Sequence, residues 1–132
     1  ELYCAGNRNN TVIEANNSSV SLNDSVFTAS ASTYTSFISA YNTYINIQTC
    51  KIAVVGDTAV AFSVHGSDLV LNESGIKITG AIGRICELYG VSAILTGNIF
   101  SGELKKKSAA SEPIYFDSDS SLELSANYTT GF

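Results

Sequence analysis

Five sixteen-residue segments of this 132-residue chain align with one another without a gap, and that repeat limits the fold more than any other feature. They are VIEANNSSVSLNDSVF from Val12, FISAYNTYINIQTCKI from Phe37, AFSVHGSDLVLNESGI from Ala61, ICELYGVSAILTGNIF from Ile85 and IYFDSDSSLELSANYT from Ile114. Successive segments start 25, 24, 24 and 29 residues apart. A unit this short cannot bury an apolar face alone, so its copies must stack on one another to make a core.

The columns of the alignment say how they stack. Val20, Ile45, Leu69, Ala93 and Leu122 share one column, and Leu22, Ile47, Leu71, Leu95 and Leu124 share another two residues later. Apolar residues at i and i+2 around a variable residue describe a strand with one buried face. A second strand ends each segment, with Phe27, Ile52, Ile76 and Phe100 in one column, then Ala29, Val54 and Ile78. A third opens it, with Ile13, Ile38, Phe62 and Cys86 inward, then Ala15, Ala40, Val64 and Leu88. Three short strands per repeat of about 24 residues predict an all-β fold: a right-handed parallel β-helix of about five rungs with three strands per rung. Residues 1–132 are expected to form one such domain, a segment of a longer solenoid, because neither end shows a polar cap.

The connections agree. Asn17, Asn42, Gly66, Gly90 and Asp119 fall in one column between two strands, where residues tolerant of positive φ are expected. Ser25, Cys50, Ser74, Asn98 and Asn127 form a corner column able to hydrogen-bond along the stack, which gives Cys50 a structural role. Cys86 is expected to be a small buried hydrophobe. Length variation is confined to one corner, and the longest insertion carries Lys105-Lys106-Lys107, expected to be a solvated loop tip. In the fifth segment the gapless register would bury Asp117. A one-residue shift burying Ile114 and Phe116 is expected instead, because an unpaired buried carboxylate costs several kcal/mol.

Composition narrows the functions. The net charge of −5 leaves no basic footprint for nucleic acid, and no apolar run reaches the ~20 residues that span a bilayer. Three cysteines without a C-x-x-C pair support neither a disulfide framework nor a zinc site.

The repeats ISAYNTYINIQTCKI, SVHGSDLVLNESGI and EANNSSVSLNDSVF resemble the pectate-lyase-like superfamily of right-handed β-helices, and more narrowly the repeat segments of bacterial surface and autotransported adhesins. The resemblance runs from Val12 to Thr129. It implies a secreted or cell-surface protein serving as a stalk or adhesin, with a glycan or a host or cell-surface protein as partner. Self-association through the solenoid ends is expected separately, from their lack of polar caps. A polysaccharide lyase or hydrolase of the superfamily, or a fragment of one, is the alternative the resemblance implies, and a phage tail-fibre or tailspike segment is another. Fold alone does not choose among them.

No catalytic constellation favours an enzyme. The hydrolase motif Gly-His-Gly is replaced by Val64-His65-Gly66, and Arg84, expected at the variable corner ahead of a strand, has only Glu87 as a nearby acid. Glu14 and Glu87 share an outward column three rungs apart, about 14 Å by strand spacing, too far for paired general acid–base catalysis. Asp117 and Asp119 could offer oxygens to calcium, but a solvated turn explains them better because a full ligand set is missing. No cofactor is expected. One sharp site remains: His65 should face outward between Tyr41 and Tyr89, beside Ser39, Ser63 and Glu87. Aromatic rings next to polar groups suit sugar binding, so Tyr41, His65, Tyr89 and Glu87 are the candidate ligand-binding residues. Stabilisation of the solenoid exterior by stacked rings is the plainer reading, and the weightier one.

Overall fold

The computed structural model describes residues 1–106 and 112–132. In chain order its strands are β1 (Leu2–Ala5), β2 (Asn9–Asn16), β3 (Ser19–Asn23), β4 (Val26–Ser30), β5 (Tyr34–Tyr41) and β6 (Tyr44–Gln48). There follow β7 (Lys51–Val55), β8 (Thr58–His65), β9 (Asp68–Asn72), β10 (Gly75–Gly80) and β11 (Ile82–Tyr89). The last are β12 (Ser92–Thr96), β13 (Ile99–Leu104), β14 (Ile114–Phe116), β15 (Ser121–Ser125) and β16 (Tyr128–Thr130).

Each strand pairs in parallel with its counterpart one repeat away. Sheet one runs β1-β4-β7-β10-β13-β16, sheet two β14-β11-β8-β5-β2, and sheet three β15-β12-β9-β6-β3. The chain is therefore a parallel β-solenoid of about five turns with three strands per turn. Among the described residues no helix is long and apolar enough to cross a membrane.

The inward columns are the ones the repeat implies. In sheet three Val20 pairs with Ile45, Ile45 with Leu69, Leu69 with Ala93 and Ala93 with Leu122. Ile47, Leu71 and Leu95 in the next column are fully buried, and so are Ile38, Phe62 and Cys86 in sheet two. Burial of each large side chain contributes about 1.5–3 kcal/mol. It also pushes the Cys86 thiol well above its ordinary pKa, so this cysteine behaves as core.

Two left-handed corners recur along the stack, the first in four turns and the second in five. The first holds Asn17, Asn42, Gly66 and Gly90, all at positive φ. The second, which the sequence reading did not anticipate, holds Asp24, Thr49, Glu73, Gly97 and Ala126 at φ values of 48° to 68°. The corner column follows directly after it and hydrogen-bonds up the stack. Ser74 Oγ accepts from the Cys50 N–H at 3.0 Å, Asn98 Oδ1 from the Ser74 N–H at 2.9 Å, and Asn127 Oδ1 from the Asn98 N–H at 3.0 Å.

The fifth turn takes the shifted register. Ile114 pairs with Cys86 and Phe116 with Leu88, which keeps Asp117 out of the core, but Phe116 is not buried as expected: on this edge strand it stays 50% exposed. Ser121 still pairs with Ser92, so this turn carries one extra residue in its connection. Asp119 consequently does not occupy the left-handed position expected for it. Asp117 closes the turn instead, accepting from the Gly90 N–H at 3.0 Å and the Ser120 hydroxyl at 2.8 Å. At the long insertion, the Lys105 and Lys106 N–H groups still bond to Gly80 and Ala81 carbonyls. Lys107, the third residue of the expected loop tip, lies outside the described residues.

Candidate functional site

Sheet two departs from simple alternation, and the departure shapes its outer face. Phe37 and Ile38 are consecutive and both fully buried in the core, as are Ala61 with Phe62 and Ile85 with Cys86. The pairing register passes over the first of each couple: Ser36 pairs with Val60 and Ile38 with Phe62, while Phe37 and Ala61 between them interrupt the ladder. Successive residues point to the same side only where a strand turns a corner. Residues 36 and 39, 60 and 63, and 84 and 87 flank that corner on the outward side.

The Arg84–Glu87 ion pair records the bend. Three residues of flat strand span about 10 Å and put the two side chains on opposite faces, yet Arg84 Nη1 reaches Glu87 Oε1 at 3.4 Å. Val60, paired with Arg84 on this face, lies outside the core cluster but is only 2% exposed. Arg84 was expected at a corner ahead of the strand. It sits inside β11, paired with Val60, because β2, β5, β8 and β11 begin three residues before their repeat segments do.

Tyr41, His65 and Tyr89 pair in register on the second arm of this elbow. Tyr41 and His65 stack with ring centroids 4.6 Å apart at 11°, and His65 and Tyr89 at 4.5 Å and 13°. The sequence reading missed a fourth ring. Tyr115 pairs with Glu87 in the neighbouring column and leans toward Tyr89, at 5.5 Å and 47°, with the Arg84 guanidinium 5.0 Å over its ring. Glu87, Ser63, Ser39 and Glu14 run alongside in one outward column. The structure thus brings all four candidate residues, Tyr41, His65, Tyr89 and Glu87, onto one face.

The electrostatics tie the two arms together. Burial, then the charge of Glu87, raises the Tyr34 phenol above its ordinary pKa, and Tyr89 is raised by the same two causes in the same order. Tyr34 stands on the first arm of β5, so Glu87 acts on phenols of both arms. The two acids of the fifth turn, Asp117 and Asp119, form no metal centre with a third ligand: among the described residues no three His, Cys, Asp or Glu side chains are grouped to hold an ion.

The rings turn their faces to one another, so what they present outward is a row of edges. Among the described residues nothing hydrogen-bonds the phenols of Tyr41 and Tyr89 or the imidazole of His65. These donor and acceptor groups repeat at one-rung spacing beside serine hydroxyls. A flat sugar cannot lie on the ring faces, but a chain of hydroxyls can be met by their edges.

Fold and face together define a repeat protein of the parallel β-solenoid class with a polar-edged aromatic row along one side. Compared with protein-family models, curated proteins and solved structures, the chain matches none.

Proposed function

We propose that this chain is a rigid, non-catalytic segment of a secreted or cell-surface β-helical protein, and that the outer face of sheet two is its adhesive surface for glycans. The observation that carries the reading is the in-register row of Tyr41, His65 and Tyr89, whose polar edges are not hydrogen-bonded among the described residues. The resemblance of the repeats to those of bacterial surface adhesins supports the setting. So does a surface rich in Ser, Thr and Asn, with 14% charged residues over the whole chain. The solenoid contributes stiffness, because the strands that carry Tyr41, His65 and Tyr89 are each paired on both sides.

A glycan array probed with the wild type and with the Tyr41→Ala/Tyr89→Ala variant tests the surface. Wild-type signals that fall at least tenfold in a variant with an unchanged circular dichroism spectrum are expected. Unchanged signals would refute the assignment. Depolymerisation of a uronic-acid polymer in the presence of calcium would overturn the non-catalytic part.

A further inference from the structure

Resting on the glycan-binding reading above, we propose that the ladder selects an uncharged, linear oligosaccharide laid along the solenoid axis, with one sugar to each rung and four rungs engaged. Geometry sets the direction. Successive ring centroids lie 4.6, 4.5 and 5.5 Å apart, close to the ~4.8 Å rung spacing. An extended hexose chain advances by a comparable step, so each sugar brings its hydroxyls to the next edge. A ligand crossing the ladder would meet one edge only.

Charge sets the class. On the strands of sheet two Arg84 is the one Lys or Arg side chain, and it is ion-paired with Glu87. Glu14 stands below in the same column as Glu87, and Asp117 follows β14 above. A carboxylated sugar would add like charge to this row, and to gain Arg84 it would have to leave Glu87 uncompensated. Neutral hydroxyls meet no such penalty and match the phenol, imidazole and serine groups in kind.

Titration calorimetry of the intact chain with β-1,4-linked gluco-, manno- and xylo-oligosaccharides of two to six residues, beside oligogalacturonates of equal length, tests this. Affinity for a neutral series should climb several-fold per sugar to the fourth and then level, with oligogalacturonates at least tenfold weaker and little dependence on salt. The Tyr41→Phe/Tyr89→Phe variant keeps the stack and removes two phenol hydroxyls, so it should flatten the climb while leaving the melting curve in place. A monosaccharide binding as tightly as a tetrasaccharide overturns the proposal, as do tighter binding of oligogalacturonates and failure of all three neutral series. If the array still shows glycans held through Tyr41 and Tyr89 in those cases, the adhesive surface stands without this specificity. A wild type that binds no glycan on the array removes both.

Discussion

Asn98 shows how much one side chain can hold in a stacked fold. It is 1% exposed, its Nδ2 donates to the Leu71 carbonyl at 2.7 Å and to Asn127 Oδ1 at 2.9 Å, and its Oδ1 serves the Ser74 N–H. Asn98→Ala leaves buried groups on neighbouring rungs unsatisfied and should lower stability by about 3 kcal/mol in urea unfolding. Asn98→Ser should recover part of that, since Ser74 performs the same service for Cys50 one rung below. Thr49 makes the opposite case. It is a β-branched residue held at φ 55° on an exposed corner, a conformation that strains a branched side chain. Thr49→Asn keeps the backbone and eases the strain, so a rise of about 1 kcal/mol in unfolding free energy is expected. The corner column was legible as a row of small polar residues. The left-handed column before it was not, because Asp, Thr, Glu, Gly and Ala share no chemistry that marks a turn.

At the scale of the element, the connection from β14 to β15 depends on one partly exposed carboxylate. The Gly90 N–H first, then the Ser120 hydroxyl, hold Asp117 below its ordinary pKa. A depressed folded value means that the native turn prefers the ionised form. Its contribution is therefore present above the unfolded value near pH 4 and is lost as pH falls through the folded one. The wild type should loosen at its fifth turn in acid, followed by carboxyl NMR of Asp117 and the amide shift of Gly90. Asp117→Asn should show no such step. The register slip in this turn could be foreseen, since burying Asp117 was the unfavourable alternative. That Tyr115 would then reach Tyr89 could not, because its pairing partner is Glu87 and it joins the ladder only by leaning across. Arg84 was misplaced for a related reason: the first four repeat segments begin at the elbow, and the first arm of β2, β5, β8 and β11 lies ahead of them.

Across the whole molecule, stability is a sum over neighbouring turns. A middle rung touches two others, and an outermost rung touches one. Leu71 is fully buried and Leu124, in the same column, is 54% exposed. Leu71→Ala should therefore cost about 2–5 kcal/mol, while Leu124→Ala should cost less than about 1 kcal/mol, both read from denaturant midpoints. The same stacking explains what could be read in advance and what could not. Apolar alternation and a spacing near 24 residues are properties of the chain itself, and they determined three strands per turn, the inward columns and the outward order Tyr41, His65, Tyr89. The elbow, the Arg84–Glu87 pair, the edge-outward setting of the rings and the fourth ring arise only when side chains a full repeat apart press together. Tertiary structure decided these, because the forces that bend a strand or tilt a ring act between turns, and no local stretch of sequence records them.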